Sequence, residues 1–149
     1  MDNEEDHLRA GLIGLNLPGD AVAWLCDMFN VIQVFDDVAD ADSIARPDLD
    51  RAIWFSLVGS ATNQFYAKNA MSLIPVMSVA IMKWQASDAS ERAGNADARS
   101  YVWRAGFYDV VLLVCHLCRC PAPPETVLRL YGETFDEYSK EFGICQDQQ

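Results

Sequence analysis

The stretch Ile32 to Asp42, IQVFDDVADAD, sets four aspartates behind a run of core-type side chains. Carboxylate oxygens are the ligands that hard divalent cations take, so the chemistry open to such a segment is Mg²⁺ binding and, through the metal, binding of a phosphorylated ligand. Spacing separates the four. At about 100° per residue, Asp36 and Asp40 share a helical face adjoining Leu25, Phe29 and Ile32, whereas Asp37 is turned toward Asn30 and Gln33, and Asp42 lies past the helix. Carboxylates one turn apart repel unless a cation, a proton or a basic partner intervenes. Asp36 and Asp40 are therefore the expected metal pair, with Asp37 beside them.

Other residues bear on the same chemistry. Asp109 stands inside Phe107-Tyr108-Asp109-Val110-Val111, on a segment expected to be deeply buried, where an isolated charge must be paired, protonated or metal-bound. It reads either as half of a structural ion pair or as a further metal ligand. Arg104 reads either as an ion-pair partner or as a diphosphate clamp. Lys83 and Lys68 are further anion-binding candidates. Glu133, Glu137 and Glu141 have the spacing of a second acidic motif, but Glu133 and Glu137 fall nearly opposite the Leu128, Tyr131, Phe135, Tyr138 stripe, where solvent is expected, and Glu137 with Lys140 or Glu141 reads as surface charge. Cys115-His116-Leu117-Cys118-Arg119-Cys120 contains one CxxC, which Cys145 or His116 would have to complete for zinc; the competing reading is small core side chains. No serine or cysteine has a base and an orienting acid near it in sequence, and no glycine-rich phosphate loop is present.

The elements that position these residues read as helices. A chain of 149 residues, 51% hydrophobic and 22% charged, predicts one domain, 1–149, with a short N-terminal segment over 1–17 that can be helical and a tail over 144–149. Asp20 predicts an N-cap for a first helix from about Ala21 to Asp40, whose core stripe is Trp24, Met28, Val31 and Phe35. A second helix starts at Arg46-Pro47-Asp48 and frays near Gly59. A third carries Leu73, Ile74, Met77, Ile81 and Trp84 to about Gln85, followed by a loop over Ala86 to Asn95. A fourth runs from about Asp97 to Leu117, and a fifth from Pro124-Glu125 to Gly143. The expected fold is an all-α bundle of about five main helices.

Net charge excludes two partner classes. At -11 the chain repels phosphate backbones and anionic lipid, so neither nucleic acid nor a membrane surface is expected. The apolar stretches Val110 to Val114 and Met71 to Trp84 read as too short or too interrupted to span a bilayer, and the acidic N-terminus does not resemble an export signal. Five cysteines in this spacing predict reduced thiols, and the localisation expected is cytoplasmic.

Phe35-Asp36-Asp37-Val38-Ala39-Asp40 resembles the DDxxD motif of class I terpenoid synthases, all-helical enzymes that ionise isoprenyl diphosphates. The resemblance covers about five residues. It implies a terpenoid-synthase-like bundle in which the motif's first and last aspartates, here Asp36 and Asp40, hold Mg²⁺ against a diphosphate. The chain from Val31 to Asp42 and through Val102 to Asp109 also resembles small helical proteins of phage and prophage genomes with no assigned function. The leading expectation is thus a divalent metal and a diphosphate-bearing small molecule bound by the Asp-rich helix, with metal-assisted ionisation or hydrolysis. The alternative is a non-enzymatic helical interaction or homo-oligomeric protein with no catalytic site. A third reading is a small all-α nucleotide pyrophosphohydrolase.

Overall fold

The computed structural model describes residues 3–145, and the fold is all-α. In chain order it contains α1 (Asn3–Gly14), α2 (Gly19–Ala39), α3 (Arg46–Trp54), a π-helical segment (Phe55–Gly59), α4 (Ser60–Thr62), α5 (Gln64–Arg92), α6 (Ala98–Trp103), α7 (Phe107–Leu117), α8 (Glu125–Leu128) and α9 (Phe135–Phe142), with no strand among the described residues. The chain forms two compact units, Met1–Met71 with Val114–Pro121 and Ser72–Leu113 with Ala122–Gln149. Neither is contiguous in sequence.

In the first unit the expected N-terminal segment is helix α1, whose Leu8 and Leu12 are buried. Trp24 of α2 is fully buried, donates from Nε1 to Ser60 Oγ at 3.0 Å, and stacks on Tyr66 with ring centroids 5.3 Å apart. Trp24 and Val31 thus lie in the core as expected, whereas Phe35 is 53% exposed. Toward the C-terminal end of α2 the covered face turns to Val31 and Val34, which leaves Phe35 outward. Asp20 is not the N-cap: Pro18 takes that position, and Asp20 lies in the first turn, where a carboxylate suits the helix dipole. Pro47 occupies the first turn of α3, as predicted. The second helix does not fray at Gly59 but continues through the π-helical segment to Thr62, burying Phe55 and bringing Ser60 to Trp24.

Asn63 is an N-cap rather than a mere connection, its Oδ1 accepting from Tyr66 N at 3.0 Å. The helix it starts, α5, is 29 residues long. It passes through Asn69, Pro75 and the stretch from Ala86 to Arg92 that was expected to be a loop. Pro75 removes only the bond to the Met71 carbonyl, on an exposed face where water can replace it. No glycine or proline follows until Gly94, so nothing in the backbone stops the helix earlier. By length and composition α5 could cross a bilayer, which corrects the interrupted reading of Met71 to Trp84.

Within the second unit, Leu73, Ala80, Ser87 and Glu91 share the covered face of α5; Leu73 and Ser87 are buried. Gly106 packs on that face so tightly that a Cβ there would lie 3.0 Å from the Ala80 backbone and side chain. The expected fourth helix is split at Arg104 to Gly106 into α6 and α7, with Asp97 capping α6 through a capping box with Ser100. The expected fifth helix is likewise two pieces. Leu128 is 72% exposed and leaves the predicted stripe, while Thr134 caps a new helix, α9, that ends at left-handed Gly143. Gln146 to Gln149 of the expected tail lie outside the described residues.

Candidate functional site

The predicted metal pair sits on the last turn of α2. Asp40 N–H donates to Asp36 O at 2.9 Å, Ala41 N–H to Val38 O at 3.2 Å and Asp42 N–H to Asp37 O at 2.9 Å, with Ala41 left-handed at φ 57°. This is a Schellman ending, in which the residues at the positions of Asp37 and Asp42 are usually apolar and touch. Here both are carboxylates. Asp36 and Asp37 are half-buried and Asp40 is exposed. The last turn of α2 carries no basic residue, so these acids stand at the negative end of the helix dipole, the less favourable end for them.

A groove of about 490 Å³ lies in the same unit, and it takes Asp37 rather than the expected pair. Asp27, Asn30, Gln33 and Asp37 line one side of it as the polar stripe of α2. Glu5 of α1 and the Asp48–Arg51 ion pair of α3 contribute the other charges. Asp36 and Asp40 are not among its lining residues.

Arg104, Asp109 and Lys83 belong to the second unit. Lys83 Nζ and Asp109 Oδ2 form an ion pair at 2.7 Å, so the pairing expected for Asp109 is met by the lysine proposed for anions. Asp109 is less buried than expected, its side chain 41% exposed, because the break at Gly106 puts it in the first turn of α7. There the dipole favours a carboxylate. Lys68 is exposed on α5, in the first unit.

Arg104 has the densest polar surroundings. Its Nη1 is shielded from solvent and lies 3.4 Å from Glu91 Oε2 and 3.6 Å from Glu133 Oε2, without a well-formed hydrogen bond to either. Its guanidinium carbon sits 5.0 Å from the centre of the Tyr138 ring and 5.6 Å from that of Phe142, within cation–π range. Tyr138 is fully buried, donates to Glu91 Oε2 at 2.8 Å and has its hydroxyl 2.6 Å from Ser100 Oγ. Burial pushes the Tyr138 hydroxyl up to about 12. Burial also raises the carboxyls of Glu91 and Glu133, with Arg104 pulling both the other way.

Glu133 is thus half-buried against Arg104, not on the solvent face where a continuous fifth helix would carry it; it precedes α9, and its carbonyl accepts from Tyr101 OH at 2.6 Å. Glu137 closes the capping box with Thr134. Sequence reasoning missed Glu91, Tyr138 and Ser100 as partners of this cluster. Glu91 was legible in principle, since it continues the Ala80, Ser87 face with no helix breaker between.

No three His, Cys, Asp or Glu side chains among the described residues converge where a metal could sit. No family model, no curated protein and no solved structure matches the chain. The chemistry of the site rests on its own geometry.

Proposed function

We propose that this protein works as a non-enzymatic homo-oligomer, in which the apolar outer stripe of α5 packs against the same stripe of a second copy. One observation carries this reading: the most apolar 18-residue window of α5 has a mean hydropathy of 1.3 yet is only 11% buried. In the second unit's part of α5, Met82 lies opposite Leu73 and Ala80, Ile74 and Ile81 flank it, and all three are exposed. Contiguous apolar surface of this kind marks interaction sites. A net charge of -11 opposes association over most of the surface, but the stripe holds no acidic residue, so it is where two copies meet with least repulsion. A self-complementary patch of this kind closes as a two-fold dimer.

Sedimentation equilibrium tests the proposal. The expected result is a dimer or larger species for the wild type, and a monomer with unchanged far-ultraviolet circular dichroism for Ile74→Lys/Met82→Lys. A monomeric wild type at every concentration would sink the proposal. So would insertion of α5 into neutral phospholipid vesicles in place of self-association.

A second reading keeps the metal at the end of α2. What supports it is the electrostatic position of Asp36, Asp37 and Asp40, gathered at the negative helix end with no basic residue in the turn. A cation there would relieve the repulsion, and Mg²⁺ is commonly held by only one or two carboxylates together with water and phosphate oxygens. In this reading Asp36 and Asp40 hold Mg²⁺ and the metal holds a diphosphate. The test is a thermal melt with Mg²⁺ and inorganic diphosphate, on wild type and Asp36→Asn/Asp40→Asn. Binding should raise the wild-type midpoint and leave the variant unmoved. An unmoved wild type, with a variant melting as high or higher, removes the metal.

A further inference from the structure

The CHLCRC segment is not used by either reading, and its geometry is specific. Helix α7 ends at Leu117, Arg119 adopts left-handed φ 53°, Arg119 N–H donates to His116 O at 3.2 Å and Cys120 N–H donates to Cys115 O at 2.9 Å. These bonds make a second Schellman ending, which folds the residue two past the cap back onto the residue three before it. In most proteins an apolar pair fills those positions. Here both are cysteines, and the Cys120 thiol donates to Leu15 O at 3.2 Å. The pair brought together is therefore Cys115 and Cys120, not the Cys115 and Cys118 of the CxxC spacing.

We propose that Cys115 and Cys120 are a modification site: an oxidisable dithiol that closes into an intramolecular disulfide on reaction with a peroxide. Both residues belong to the first unit, both are free thiols, and both are half-buried. The thiolate of Cys120 attacks one peroxide oxygen. The O–O bond breaks, Cys120 becomes a sulfenic acid, and the other oxygen leaves as hydroxide, which takes up the Cys120 proton as water. Cys115 sulfur then attacks the sulfenic sulfur; the S–S bond forms, the S–O bond breaks, and the departing hydroxyl leaves with the Cys115 proton as a second water. The two thiols lose two protons and two electrons, and the peroxide is reduced to two waters. Cys115 takes the second role because burial and its neighbouring thiols hold it protonated, up to about 12. Closure consumes the Cys120 S–H and so releases the Leu15 carbonyl from it.

The test treats the full-length wild type with stoichiometric hydrogen peroxide, then counts thiols under denaturing conditions and maps the peptides without reduction. Two of the five thiols should be lost and regained with a reductant, and fragmentation should link Cys115 to Cys120. Cys118→Ser should keep the loss, and Cys120→Ser should abolish it. A bond that includes Cys118, independent oxidation of single cysteines to sulfinic acid, or cross-linking only between chains through exposed Cys145 would each overturn the proposal.

Discussion

Arg104 shows how much one side chain can organise. Removing the cation while leaving Glu91 and Glu133 half-buried against each other is the costly way to break such a cluster, so Arg104→Met should destabilise the fold by about 3 kcal/mol, measured by urea denaturation. The two carboxylates set a pH dependence whose sign follows from their raised folded values. Each contributes stability that is complete below the ordinary glutamate value of 4.5 and is lost as pH rises through its folded value. Stability should therefore fall from about pH 4.5 toward neutrality through these groups, and Glu91→Gln should flatten that fall. An identical pH profile in variant and wild type would show that Glu91 is not its source. Arg104 itself was legible as a residue needing partners, since a charge among Val102, Trp103 and Phe107 cannot stay unpaired. Its partners were not, because Glu91 and Glu133 come from distant segments.

At the scale of elements, caps and breakers carried most of the readable information. Pro47, Asp97 and Gly143 mark helix ends through local backbone chemistry, and the structure has them in those roles. The errors came from periodicity. Val102 and Phe107 fit one helix by spacing, yet the chain breaks between them where Gly106 meets Ala80 of α5. That close approach is a tertiary requirement, and it makes Gly106 a sensitive position: Gly106→Ala should cost about 1–3 kcal/mol by forcing the two segments apart. Gly132→Ala is the control, since a Cβ there meets nothing within 4 Å and should leave stability nearly unchanged. Equal melting shifts for the two variants would refute the packing argument. The apolar stripe on α5 misled in the other direction. Ile74 and Ile81 repeat at core spacing with Leu73, but only Leu73 is buried.

For the whole molecule, the consequence proposed for that exposed stripe is an association equilibrium. If copies pair through α5, the melting midpoint must rise with protein concentration, because only the folded chain presents the stripe. Ile74→Lys/Met82→Lys should remove that dependence together with the dimer. The all-α class was settled by local information: helical spacing, caps and the absence of strand alternation act within a few residues and survive any packing. The identity of the α2 aspartates as one polar and one adjoining face was settled the same way, by the angle per residue. Which face meets a groove was a tertiary matter. Asp37, Asn30 and Gln33 line it because α1 and α3 pack beside that stripe, and no property of α2 alone specifies where its neighbours lie. Arg104 with Glu91 and Glu133 depends in the same way on chain segments brought together from far apart in sequence, since a charge's need for a partner is written in its own residue and the partner's position only in the packed fold.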